Sequence, residues 1–210
     1  MGIPASTIRQ GVLTVCEPLT AMLGHIHLPV VSHHITEADG KAILKVIQPG
    51  DVVLSRIWGA ATNLFIPGEW KHAAMFVGPG LVTGTQNLVE AVEPTVHETH
   101  FLSWACAHDA LLVLRPRFVT EQEAGLAAHA ARSLIGCKYD EFFTYSIKRE
   151  TNRAFYCSEV IWWAYDFVCT SAGRVSPFVP RATMGMDTIT PDDFAHGVGK
   201  WATVWAKDDA

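Results

Sequence analysis

Long apolar runs are missing from this 210-residue chain, and no stretch approaches the roughly 18 residues needed to span a bilayer. Positive charge is scarce too: 16 Lys and Arg stand against 21 Asp and Glu, a net charge of -5 at pH 7. Without a broad positive field the chain has little to offer a phosphate backbone, so nucleic acid is not an expected partner. The five cysteines, at 16, 106, 137, 157 and 169, include no C-x-x-C pair. An odd number in a chain of this length speaks against a disulfide framework and for thiols kept reduced. No Gly-rich phosphate loop occurs, because Gly78-Pro79-Gly80 is turn chemistry. His25, His27, His33 and His34 cluster, but no second group of Cys, His or carboxylate accompanies them at ligand spacing, so neither a metal nor another cofactor is expected. The first thirty residues are broken by Arg9, Glu17 and Pro18 and lack a basic start ahead of an apolar core. No signal peptide is therefore expected, and the expected location is cytoplasmic.

What the chain does contain is 49% hydrophobic and 18% charged residues, enough for one globular domain with a sizeable core. Residues 1–35 have weak periodicity and read as an N-terminal extension of unknown role, with a single domain over 36–206. Thr36 and Asp39 resemble a capping box, and Ala42, Ile43, Val46 and Ile47 continue at helical spacing until Pro49-Gly50. Apolar runs at 51–55, 73–77, 88–92, 111–114 and 201–205, separated by Gly and Pro turns, predict short strands meandering into an antiparallel sheet. The stretch from Ile57 to Glu69 reads as a loop. Thr120 with Glu123 opens a second helix that Gly136 stops. A third begins almost at Cys157, with Val160, Trp163, Ala164 and Phe167 on one face.

Three residues invite a chemical reading. Cys157 sits where a helix should begin, a position that favours the thiolate; a buried, inert cysteine is the alternative. His72 stands at the start of an apolar strand, where one ring nitrogen can remain free, although a packed or surface role is the commoner one for a histidine. Glu90 shares a strand face with Leu88 and Val92, and a carboxylate there is costly unless paired. An imidazolium on a neighbouring strand would serve, as would an arginine such as Arg115 or an edge open to water.

Taken together, Gly50-Asp51-Val52-Val53, Lys71-His72-Ala73-Ala74-Met75, Leu88-Val89-Glu90-Ala91-Val92, Ile135-Gly136-Cys137-Lys138-Tyr139-Asp140, Tyr156-Cys157-Ser158-Glu159-Val160 and Thr190-Pro191 resemble the permuted papain-like amidases of the YiiX/YaeF type, relatives of the NlpC-type cell-wall peptidases. The resemblance implies an α+β, circularly permuted papain-like fold, an antiparallel sheet packed against helices with the cysteine at a helix N-terminus. It also implies a cysteine hydrolase acting on a small peptide, amide or acyl substrate, with Cys157 as nucleophile, His72 as base and Glu90 as the orienting acid. Tyr139 and Asp140 match a recurrent family pair, and Tyr139, Tyr156, Trp58 and Trp70 are the expected substrate-binding residues. The leading reading is cleavage of an amide or peptide bond through a thioester. A lipid acyl hydrolase or acyltransferase on the same site, or a catalytically idle binding module, are the alternatives.

Overall fold

The computed structural model describes residues 34–57, 66–80, 84–141, 154–178, 181–183, 186–197 and 199–208. Its strands are β1 (Val52–Arg56), β2 (His72–Pro79), β3 (Gln86–Val92), β4 (Thr95–His100), β5 (Ala110–Pro116), β6 (Lys138–Tyr139), β7 (Ala154–Phe155), β8 (Arg181–Thr183), β9 (Met186–Thr188) and β10 (Trp201–Lys207). Eight of them form one sheet in the order β10-β5-β1-β2-β3-β4-β6-β7, and β8 pairs with β9 alone. All neighbours in the large sheet run antiparallel except β6 and β7, which are parallel. The meander expected from the closely spaced apolar runs is thus the heart of the fold, with short β6 and β7 added at one edge.

Helices cover both faces. One apolar cluster joins Val52, Leu54, Met75 and Val89 to α3 (Glu121–Arg132) and α4 (Cys157–Ser171) through Ala127, Ala131, Val160, Ile161 and Ala164. The other joins Val53, Phe76, Leu88 and Leu111 to α1 (Glu37–Ile43) and α2 (Phe101–Ala105) through Ile43, Phe101 and Trp104. The short α5 (Pro191–Ala195) adds Phe194 to the first cluster. This two-sided burial follows from strand alternation, since odd and even residues of β1 to β3 feed different clusters. Among the described residues no helix is long and apolar enough to cross a membrane.

Both predicted capping boxes are present: Thr36 with Asp39 starts α1 and Thr120 with Glu123 starts α3. α1 is shorter than its periodicity implied, because after Leu44 the chain tightens into turns and Val46 is left exposed. α4 starts at Cys157 as expected, but its buried face is Val160, Ile161, Ala164 and Val168. Trp163 and Phe167 instead stack on each other, centroids 5.6 Å apart, and Phe167 is exposed.

The Gly50-Asp51 motif is structural. Gly50 has φ +94, and a Cβ there would lie 2.5 Å from the Ala124 carbonyl oxygen, so glycine lets α3 close onto the sheet. Asp51 is buried and accepts from Arg115 Nε at 2.9 Å and Nη2 at 2.7 Å. Burial pushes its carboxyl upward, and the guanidinium opposes that shift. Arg115 is thereby committed to Asp51, not to Glu90.

Candidate active site

His72 is the first residue of β2 and pairs with Ser55 of β1. The β2–β3 ladder begins only at Met75–Val89, so His72, Ala73 and Ala74 are laddered to β1 alone. At this end of β2 the His72 ring and the Ala73 N–H favour the thiolate of Cys157, which stands at the first position of α4.

Glu90 lies on β3, on the α2 side with Leu88, and is 4% exposed. Its Oε2 is 2.7 Å from His72 Nε2 and accepts from the Trp104 indole Nε1 at 2.8 Å. Its Oε1 accepts from Thr99 Oγ1 at 2.7 Å and lies 3.5 Å from His97 Nε2. With Nε2 committed to Glu90, Nδ1 is the His72 nitrogen that remains for the thiol. The three residues singled out in the sequence are therefore coupled, Glu90 by a hydrogen bond to His72 and Cys157 through its electrostatic interaction with His72.

Each member shifts the others' protonation. Burial depresses the His72 imidazolium, but Cys157 and Glu90 overcome it and raise His72 to about 10. Burial likewise disfavours the Cys157 thiolate, yet the bonds to His72, Ser158 and Ala73 bring the thiol below its ordinary value. Glu90 is held well below the usual carboxylate range, its burial outweighed by His72, His97 and Thr99. Both shifts run in the direction that favours a thiolate–imidazolium pair.

The loop before His72 is clamped from α5. Asp192 accepts the amides of Glu69 at 2.9 Å and Trp70 at 2.7 Å, and Lys71 Nζ donates to the Ile66 and Gly68 carbonyls. Gly68 has φ +95, and a Cβ on it would meet Asp192 Oδ2 at 2.1 Å. The Thr190-Pro191 motif thus starts the helix whose Asp192 holds the approach to His72, while Asp193 completes the Thr190 capping box.

The expected substrate-binding aromatics divide. Tyr139 is half-buried, and burial, aided by the negative charges of Cys157 and Asp140, pushes its phenol upward. Tyr156 is 2% exposed and accepts the Ile189 N–H on its hydroxyl at 3.0 Å, so its surface goes to the fold. Trp70 is 5% exposed, with the Arg56 guanidinium 5.9 Å above its ring. Trp58 lies outside the described residues, as do His25, His27 and His33. Sequence reasoning missed His97, Thr99, Trp104, Ser158 and Asp192. β4 carries two of them and gave no signal, because Thr95-Val96-His97-Glu98-Thr99-His100 is polar on both faces. Only its proximity to the Glu93-Pro94 turn hinted at a hairpin.

A structure described as the metalloprotein YiiX from Escherichia coli O157:H7 resembles this chain with a TM-score of 0.58 at 18% sequence identity, covering 76% of this chain and 97% of that one. At that identity the likeness speaks for the fold. No curated protein matches the chain. The family model described as permuted papain-like amidase enzyme, YaeF/YiiX, C92 family, matches residues 46–205, most of the sequence. The chain belongs to this family of permuted papain-like amidases and is a hydrolase of the cysteine peptidase/amidase kind.

Proposed function

We propose that Cys157, His72 and Glu90 are the catalytic triad of a hydrolase that cleaves an amide or peptide bond, of cell-wall-peptide or acyl-amino acid type. The observation that carries this reading is the His72 imidazole held by the Glu90 carboxylate at 2.7 Å, with a buried thiol at a helix start whose ionisation His72 favours.

In this reading the Cys157 thiolate attacks the acyl carbon, and the carbonyl π electrons move onto oxygen. The Cys157 N–H at the start of α4 donates to that oxyanion; Tyr156 precedes it as N-cap without a side-chain acceptor for the first-turn amides. The C–N bond then breaks, and the departing amine takes the proton held by His72. Water, deprotonated by the neutral His72, hydrolyses the thioester and returns the thiolate. Glu90 keeps the imidazole oriented throughout, and Tyr139 lines the wall of the cleft near the sulfur. The related YiiX is described as a metalloprotein. Among the described residues here, no three His, Cys, Asp or Glu side chains are placed to hold a metal ion. The catalytic unit in this reading is residues 36–206, with 1–35 as an extension.

Alkylation of Cys157 by iodoacetamide as a function of pH, followed by mass spectrometry of the labelled peptide, tests the dyad. Wild type is expected to react well below the roughly 8.5 of a free thiol, and His72→Ala only like a free thiol. Identical profiles would end the reading of Cys157 and His72 as a catalytic pair. Substrate class is tested in parallel with an acyl-amino acid amide and a fluorescent phospholipid: turnover of the amide alone is expected, whereas acyl release from the lipid alone would overturn the amidase reading.

A further inference from the structure

Glu90 faces two imidazoles, and the triad uses one. The other, His97, lies directly across the β3–β4 ladder from it and is 42% exposed at its side chain. His97 Nδ1 is 3.1 Å from the Thr95 carbonyl oxygen. A carbonyl only accepts, so Nδ1 carries the proton, and in the neutral ring Nε2 is bare. That bare nitrogen is the atom 3.5 Å from Glu90 Oε1. The contact is therefore lone pair against carboxylate when His97 is neutral, and a charge-assisted hydrogen bond once His97 gains a second proton.

We propose that His97 is a positioning residue acting through Glu90: when protonated at Nε2 it takes up part of the carboxylate's charge, loosening the hold of Glu90 on His72 and lowering the thiolate fraction of Cys157. This rests on the Cys157–His72–Glu90 reading.

The surroundings leave His97 as the variable partner. Thr99 and Trp104 donate to Glu90 from groups that do not titrate. From β3 the charge facing His97 is Glu90, and from β2 it is His72. α2 contributes no ionisable side chain; His108 beyond it packs at a tilt against Trp104, 4.2 Å between centroids. Lys138 of β6 stands opposite Thr95. On β4 itself, Glu98 is turned to Asn87 and Arg132, and His100 to Ser103. Glu90 raises the His97 pKa, opposed by burial and by the charge of His72.

The test compares the pH profile of Cys157 alkylation in wild type, His97→Gln and Glu90→Gln, with circular dichroism to confirm folding. Gln keeps a neutral donor at position 97 and removes the titration. On the acid side of the His97 titration, His97→Gln is expected to react roughly 3- to 10-fold faster than wild type, the effect of removing one nearby like charge from His72. The two profiles should converge where His97 is neutral. Coincident profiles throughout would overturn the proposal. If Glu90→Gln is also indistinguishable from wild type, the triad reading itself fails; if Glu90→Gln slows alkylation while His97→Gln does not change it, only the role of His97 falls. Nitrogen-15 NMR of the wild-type imidazoles gives an answer that needs no variant. His97 should titrate at Nε2 while Nδ1 stays protonated, and the opposite tautomer would refute the mechanism.

Discussion

Glu90 is where the energetics of the site concentrate, since a carboxylate 4% exposed stays ionised only through the donors that surround it. Cys157 and Glu90 together raise His72, so replacing Glu90 with Gln removes one of the two supports of the imidazolium and weakens the thiolate with it. Cys157 alkylation at pH 7 is expected to fall at least about 10-fold, one tenfold step for each pKa unit. Trp104→Phe keeps the ring but removes the indole N–H from Oε2. It is expected to cost about 1.5–3 kcal/mol in urea unfolding, the range for a hydrogen bond to a charged group. Ser158, its hydroxyl 3.7 Å from the sulfur, adds to the thiolate's support, so Ser158→Ala should move the alkylation midpoint upward. At this scale two members of the candidate triad stood out locally, an acid on an apolar strand face and a cysteine at a helix start, while His72 entered through the family resemblance. Thr99, His97 and Trp104 did not stand out. Their importance exists only through the Glu90–His97 register and the placement of α2.

Elements position these side chains more than they supply them. α4 delivers Cys157 to the end of β2 where the sheet has parted, and α5 fixes the loop leading into His72 through Asp192. Asp192→Ala should leave α5 folded, because Thr190 and Asp193 still close the capping box. The Glu69 and Trp70 amides should then exchange faster with solvent, and Cys157 alkylation should slow several-fold as His72 loses its anchor. Hydrogen exchange with mass spectrometry reads the first effect. Unchanged exchange at those amides would show that Asp192 does not secure the loop. Helix starts were readable because capping boxes are local chemistry. The buried face of α4 was not: Trp163 and Phe167 are as apolar as Val160, and periodicity registers hydrophobicity without knowing that two aromatics will stack on each other at the surface.

For the whole molecule, the dyad ties stability to pH. His72 is raised from 6.5 to about 10, so its contribution is complete below 6.5 and is lost as pH rises through about 10. Cys157 is lowered from 9.0, so its contribution is complete above 9.0 and is lost as pH falls through its folded value. Where both changes are under way, above 6.5 and above the lowered value of Cys157 and up to 9.0, they offset each other. Thermal unfolding should therefore show a plateau across that interval and a decline toward pH 10, and Cys157→Ala should remove that shape. A decline of the same size in Cys157→Ala would place its origin elsewhere. The sequence by itself determined the class of the fold, the antiparallel meander, the helix carrying Cys157 and the three residues of the candidate triad, because alternation, capping and a costly carboxylate are all written within a few residues. Only the tertiary structure decided that Arg115 goes to Asp51, that Tyr156 and Trp70 are spent on the core, and that a polar strand with no signal of its own holds Glu90. Those outcomes depend on register between strands far apart in the chain, and no local pattern encodes which side chains will meet there.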